Sequence, residues 1–390
     1  MCNSFSEENS MGFFIVGSGI WGAVVAERIA TVLKQPVTVI DRRDHIGGNC
    51  HSSLDEETGI ECHRYGSHIF HTSLPQVWEY INQFGEFTSY QHNVFITYKG
   101  KVYTMPINLS TINAFYGKNF RPAEAAAFLK AEIARDFIAE PKNLEEKAVS
   151  LIGRPLYEAF IKGYTHKQWE HDPRELPAAI ISRLPFRTTY NAHYFNDTWQ
   201  GVPKDGYFSI FRRMLENPLI TVKLNCEYEH IKQQLPADCT VIYTGMPDQF
   251  FDYRYGELEW RSLRFEWETL PVQDYQGTTV MNYADVETPF TRLHEFKHYH
   301  PERVKPFEQN QTVICREYSK TYARGDEAYY PVNNERNNTL YARYAEEAAK
   351  LPKLILGGRL GSYRYWDMDK AIADALHVFE TRISPIKAAV

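Results

Sequence analysis

The sequence predicts an α/β fold: a Rossmann-like domain that carries a helical-bundle insertion and an antiparallel β-sheet domain. Three observations predict it. A glycine-rich strand, turn, helix and strand open the chain at "MGFFIVGSGIWGAVVAERIATVLKQPVTVIDRRDHIGGN", helix-period text fills residues 110–187, and alternating aromatic-rich runs fill 257–325. At 390 residues the chain has room for two or three domains around a substantial core.

The first domain part spans 11–88. Phe13 to Val16 is an apolar run that stops at Gly17; Ala23 to Leu33 has helical spacing; a second apolar run, Val37 to Ile40, ends at Asp41. Gly17 permits the tight turn, Gly19 lets backbone approach a pyrophosphate at the helix N-terminus, and Gly22 lets helix and strand pack closely. Ser18 shares that turn, and Asp41 lies where an acid can hydrogen-bond a ribose hydroxyl. The basic pair Arg42-Arg43 and then Gly47-Gly48-Asn49 follow. An acid, a basic pair and a Gly-Gly turn resemble flavoproteins of the amine oxidase type, where they run beneath the flavin's phosphates and ring, so FAD is expected, with Arg42, Gly48 and Asn49 among its contacts.

Further along, "HNVFITYKGKVYTMPIN" alternates around Lys99-Gly100 and reads as a hairpin, so 89–109 and 188–205 are assigned to the sheet domain. The insertion, 110–187, carries Ala, Glu and Leu at helical periodicity with caps and Pro breaks. Within it "DPRELPAAIISRLPFR" has Pro173 and Pro185 around a short helix-like core, a composition suited to a mobile loop at 175–187. Residues 206–256 read as further nucleotide-domain strands, 257–325 as the antiparallel sheet, and 326–390 as a return to the first domain. There "LPKLILGGRLGSYRYWDMDKAIADAL" predicts a strand from Leu354 to Leu356, a Gly-Gly turn and a helix from Met368. That segment can bring a second helix N-terminus to the cofactor, with Gly358, Arg359 and Met368 as expected contacts.

A formal charge of −6 argues against a general nucleic-acid binder. No apolar run reaches the length of a membrane span, and the opening "MCNSFSEENS" is polar and acidic, unlike a signal peptide, so a cytoplasmic location is expected. Six cysteines, at 2, 50, 62, 226, 239 and 315, lack metal-ligand spacing and are expected to be reduced. In "HEFKHYH" strand-like alternation splits His294, His298 and His300 between faces and no carboxylate completes a set, so no metal is expected.

Six motifs in order carry a family signal: "YGSHIFHT" (65–72), "GYTHKQW" (163–169), "ISRLPFRTTYNAHYFNDTWQGVPKDGY" (181–207), "TPFTRLHEFKH" (288–298), "YYPVN" (329–333) and "GGRLGSYRYWDMD" (357–369). From Gly17 to Asp369 the chain resembles the bacterial UDP-galactopyranose mutases. The resemblance implies interconversion of UDP-galactopyranose and UDP-galactofuranose without net redox, with reduced FAD as covalent nucleophile at the anomeric carbon. It also implies a homodimer joined through the helical domain. A leaving diphosphate needs fixed cations, and the planar guanidinium suits it because it can make two parallel hydrogen bonds. By motif, Arg183 and Arg292 resemble the family's pyrophosphate arginines, with Tyr194, Tyr330 and Tyr365 as further phosphate donors. Tyr164 takes the uracil position and Trp169 the mobile loop near substrate.

Asp367 resembles the acid near galactose and Arg359 an arginine near the flavin; Tyr365 and Asp367 also border the cofactor. His68 and His71 belong to the loop against the flavin, and His92 and Arg261 are expected on the sugar side. Bland alternatives stand beside these: Arg292 pairs with Glu295 or Glu287 on the sheet, His71 is a satisfied buried histidine, and Arg261 is a sheet charge. Two departures from the pattern are the bulky Trp21 in the glycine loop and Ser67 where Pro or Ala is more usual. His68 resembles the galactose enzymes, whereas Arg there goes with the N-acetylated sugar, leaving a UDP-N-acetylgalactopyranose mutase as the alternative. A flavin oxidase is the more distant one.

Overall fold

The computed structural model describes residues 12–183 and 185–388. Its nucleotide domain is a five-stranded parallel sheet in the order Leu354–Leu356, Thr240–Tyr243, Phe13–Val16, Val37–Ile40, Ile220–Lys223. Ile15, Val39 and Ile242 are fully buried, as expected of strands covered on both faces. Phe13–Val16 is central, and Val16 stands level with Ile40 on one side and Tyr243 on the other. The loops that follow these three strands therefore leave one edge together, where ligands of open α/β sheets bind.

The helix Ile20–Arg28 follows the glycine turn, continues as a π turn Ile29–Leu33, and stops at Lys34 in the left-handed region (φ 54°). It packs on the C-terminal helix Met368–Val378, in a core with Ile372 and Ala375.

The second sheet has seven strands, ordered Tyr330–Pro331, Trp260–Leu270, Thr312–Thr321, Arg292–Glu295, Val280–Tyr283, Val94–Tyr98, Lys101–Met105. All neighbours are antiparallel except Val280–Tyr283 and Val94–Tyr98. Lys99 (φ 49°) and Gly100 (φ 72°) are both left-handed, the signature of a type I′ hairpin, as the alternation around them predicts.

The insertion starts cleanly because Asn108 caps Leu109–Tyr116: its Oδ1 accepts from the Ser110 and Thr111 amides, while Thr111 Oγ1 accepts from Asn108 N. Pro122–Arg135 begins on proline, and Leu144–Ile152 is capped by Asn143. A last helix runs through Arg154–Leu156, a π turn Tyr157–Lys162, and Gly163–Trp169. Leu144, Tyr157 and Phe160 share one core with Val94, Ile96 and Val280 of the sheet. Insertion and sheet are thus fused into a single wall facing the nucleotide domain.

Four expectations need correction. Within 188–205, Trp199–Gly201 pairs with Phe70–Thr72 as a separate two-stranded ribbon and does not extend the large sheet, whose edge is already taken by the hairpin strand Lys101–Met105. Tyr330–Pro331 pairs with Trp260 and Arg261, so the sheet runs past residue 325 into the segment assigned to the nucleotide domain. Cys226 is disulfide-bonded, while Cys50, Cys62, Cys239 and Cys315 are free thiols. In "HEFKHYH" the strand ends at Glu295 and a 3-10 turn, Phe296–Tyr299, swings His298 back, so that Asp274, Glu295 and His298 bring ligand atoms within 4.8 Å of one another. The Glu295 carboxylate is already occupied by Thr312 Oγ1 and the Tyr275 and Gln276 amides. Among the described residues, no helix is long and apolar enough to cross a membrane.

Candidate active site

Between the two sheets lies a cavity of about 1840 Å³. Of the predicted site residues whose side chains are described, all but Ser18 line it. Arg183 ends the 3-10 turn Ala178–Arg183, and its side chain lies outside the described residues.

One end is built from backbone. Gly17 turns with φ 106°, and a Cβ added at Gly22 would stand 2.1 Å from the Gly17 carbonyl oxygen, so both positions require glycine. Gly19 bridges Gly47, and a Cβ on Gly48 (φ 56°) would come within 2.9 Å of the Gly19 Cα, so two glycine turns meet face to face. Asp41 is buried and its oxygens are held: Oδ2 accepts from Ser18 N (2.9 Å) and Ser18 Oγ (2.6 Å), Oδ1 from Arg43 N (3.0 Å). Ser18 is therefore a support behind the wall, aiming an acid that retains lone pairs toward the cavity. Arg42 and Arg43 both pair with Glu327, and Arg43 Nη2 also donates to Asn49 Oδ1 at 2.6 Å. Gly358, Arg359 and Met368 line the same end beside Thr244, whose Oγ1 fills the space that a Gly17 side chain would need. Trp21 has a structural explanation: it lies over Gly357, where a Cβ would be 2.2 Å from its ring, and donates to Asp374 at 2.7 Å.

The other end is built from side chains. Arg292 lies directly across from Glu317 in the antiparallel register and pairs with it at 2.8 Å, so neither Glu295 nor Glu287 is its partner. Burial opposes the Arg292 charge, yet Glu317 raises its pKa well above the ordinary value; burial likewise opposes the Glu317 charge, and Arg292 with His294 holds it below the usual carboxylate range. The pair does not consume the guanidinium: Arg292 Nε is buried with no protein acceptor. Arg261 is buried and pairs through Nη1 with Glu170 at 2.9 Å, while its Nε and Nη2 find no acceptor. It is more than a sheet charge.

Tyr164, Tyr194 and Tyr330 gather on the same wall, where burial pushes each hydroxyl up and keeps it a neutral donor, and Tyr365, 40% exposed, joins them at the cavity. Tyr330 stacks on Tyr365 with ring centres 5.3 Å apart, and Arg359 lies 5.9 Å over the Tyr330 ring. Trp169 and Asp367 border this end.

The histidines divide. His68 Nδ1 donates to Gly66 O at 2.8 Å, and burial lowers its pKa to about 4, so it lines the cavity as a neutral ring. His92 is buried against Tyr194 and Phe195 and held down to about 3 by burial first and the Arg292 charge second. His71 pairs with Asp197 at 2.8 Å and stacks on Phe195 at 3.7 Å, fixing the strand Phe70–Thr72 to the segment before Trp199, and it lines the cavity.

Several residues here escape sequence reasoning. Ser67 Oγ meets His294 Nδ1 at 2.6 Å, and His294 Nε2 meets Glu317 Oε2 at 3.0 Å, so a buried relay runs from the cavity wall to the partner of Arg292. Only the cross-strand register of 292–295 with 314–317 could have signalled Glu317; Glu327 and Thr244 carry no local signal at all.

A family model described as UDP-galactopyranose mutase matches residues 159–365, and one described as an NAD(P)-binding Rossmann-like domain matches 15–84. The chain is 40% identical to a probable UDP-galactopyranose mutase of Klebsiella pneumoniae, over 97% of this chain and 96% of the relative. It is 37% identical to a dTDP-fucopyranose mutase of Escherichia coli, over 93% and 96% of the two chains. The solved structure of a reduced UDP-galactopyranose mutase shares the fold, with a TM-score of 0.74 and 14% identity over 96% of each chain. Matched along nearly its whole length at such identities, the chain belongs to the UDP-galactopyranose mutase family of isomerases.

Proposed function

We propose that the protein interconverts UDP-galactopyranose and UDP-galactofuranose with FAD bound in its reduced form. The observation that carries this reading is the set of buried guanidinium donors, Arg292 Nε and Arg261 Nε and Nη2, which have no acceptor in the protein and belong to residues lining the cavity. Leaving such donors unmet is costly, and a diphosphate supplies the acceptors. Volume supports a second ligand beside it: about 1840 Å³ exceeds the roughly 300–1,000 Å³ of a pocket for one small molecule.

FAD fits the residues present. The facing glycine turns leave backbone free to meet a pyrophosphate, Asp41 offers its acceptors to a ribose, and Arg359 adds a cation to the cavity lining. When bound and reduced, FAD supplies the nucleophile for the anomeric carbon. The chain's own residues then do the rest. Arg183 and Arg292, with Tyr194, Tyr330 and Tyr365, hold the diphosphate as it departs and returns, and neutral tyrosines donate without adding charge. Tyr164 holds the uracil, and Trp169 with the loop 175–187 closes over the sugar and excludes water. His68, His71, His92, Arg261 and Asp367 surround the sugar. We place the enzyme in the cytoplasm as a homodimer.

The test is anaerobic incubation with UDP-galactofuranose, with and without dithionite, followed by chromatographic separation of the UDP-sugars. Conversion only after reduction is expected. UDP-N-acetylgalactosamine and dTDP-fucose are run beside it, since a relative at 37% identity carries the latter's name; exclusive turnover of either would replace the galactose assignment.

A further inference from the structure

Lys167 plays no part in the site as described, yet its surroundings are unusual. Its Nζ donates to four backbone carbonyls, those of Tyr283 (2.7 Å), Asp285 (2.9 Å), Thr288 (2.9 Å) and Phe290 (3.0 Å). Tyr283 ends its strand and the other three belong to the loop that follows, which is closed at its base by the Tyr283 amide on Thr291 O at 3.0 Å. An ammonium has three protons, so one is shared. Four carbonyl oxygens aimed at one point repel each other unless a cation sits between them.

The helix belongs to the insertion and the loop to the large sheet, the two parts that are fused into one wall of the cavity. Gly163 and Lys167 are four apart and share a helix face; that face meets the loop so closely that a Cβ on Gly163 would be 2.3 Å from Ala284 O. Tyr164 and Gln168, also four apart, face the cavity along with Trp169. The loop ends at Thr291 and leads straight into the strand that carries Arg292. At the other end of the helix, Glu170 accepts from Arg261 Nη1 and from the Thr321 amide at 2.7 Å.

We propose that Lys167 is a positioning residue: its ammonium closes the carbonyl ring at 283–290 and so fixes the distance between Tyr164 and Trp169 on the helix and Arg292 on the strand. It sets the span across which a nucleoside diphosphate is gripped, an inference that rests on the function proposed above.

The test removes the cation and returns it from solution. Lys167→Ala lacks the three carbons and nitrogen that propylammonium contains. In K167A, UDP affinity by calorimetry is expected to fall roughly tenfold, the loss of about one charged hydrogen bond, and amides of 283–292 to exchange faster. Propylammonium should restore both, and tetramethylammonium, with no N–H, neither. Wild-type affinity in folded K167A, or equal effects of the two ions, would overturn the proposal. Should K167A fail to fold, Lys167→Met keeps most of the volume, and unchanged UDP affinity in it would be equally decisive. If the wild-type protein itself does not bind UDP, the functional reading fails. The exchange arm still judges the coupling: protection lost in K167A and regained with propylammonium supports it, and unchanged protection rejects it.

Discussion

The two ends of the cavity are built on opposite principles. At the dinucleotide end the working surface is backbone, and what matters is the absence of side chains: a methyl at Gly17, Gly22 or Gly48 would collide with Thr244, the Gly17 carbonyl or the Gly19 backbone. At the diphosphate end the surface is made of long side chains whose polar atoms are deliberately incomplete, with Arg292 and Arg261 keeping donors that the protein never satisfies. The first end is rigid because it has nothing to rearrange. The second is held only because buried partners, Glu317 and Glu170, anchor one side of each guanidinium.

That contrast is sharpest under substitution. Gly22→Ala is expected to have the largest effect, because its Cβ would meet backbone at 2.1 Å and neither chain can yield without opening the central strand. Stability should fall by more than about 4 kcal/mol, in the exceptional class of single substitutions, read by thermal melting, with loss of bound flavin absorbance. Arg292→Met comes next. It strands Glu317, which is 2% exposed, as a buried carboxylate held by His294 alone, at a cost of about 3–5 kcal/mol. Adding Glu317→Gln should restore much of the melting temperature but none of the UDP affinity; recovery of both would mean that Arg292 is structural.

Legibility follows the same division. Glycine requirements are local, so the strand, turn, helix and Asp41 could all be read from one stretch, as could the Lys99-Gly100 hairpin and the capped helix at Leu109. The side-chain end depends on register. Glu317 reaches Arg292 because the 24 residues of strand, turn and loop between them bring the two opposite each other, and no spacing rule encodes that separation. The same holds for Trp199–Gly201, three residues too short to choose between two sheets, and for the boundary near 325, where a two-residue strand is too short to register in composition.

A smaller effect separates the ends by pH. His68 and His92 are held at about 4 and about 3, below the unperturbed 6.5. The unfolded chain therefore takes up protons first as pH falls through 6.5, and each ring makes stability decline by up to about 1.4 kcal/mol per pH unit from there down toward its folded value, with no contribution above. Either His68→Asn or His92→Asn should flatten the stability profile by a similar amount between pH 6.5 and 4.5, and His92→Asn alone should go on flattening it from pH 4 toward 3, since His92 has the lower folded value. Identical slopes in both variants and the wild type would show that neither ring is desolvated in the folded protein.

The smallest expected change tests whether the tyrosines act through their hydroxyls or their rings. Tyr330→Phe keeps the stack on Tyr365 and the ring beneath Arg359 and removes one hydroxyl beside Arg292. A neutral hydrogen bond contributes about 1 kcal/mol, so UDP affinity should weaken roughly fivefold with little change in melting temperature, because Arg292, which meets that hydroxyl, keeps its pair with Glu317. Tyr330→Leu removes the ring as well and should weaken UDP further while lowering stability, since the stack goes with it. Equal affinity in the wild type and Tyr330→Phe, with the whole loss appearing only in Tyr330→Leu, would make this residue a spacer that keeps Arg292 and Arg359 apart. The diphosphate end would then owe its grip to cations alone.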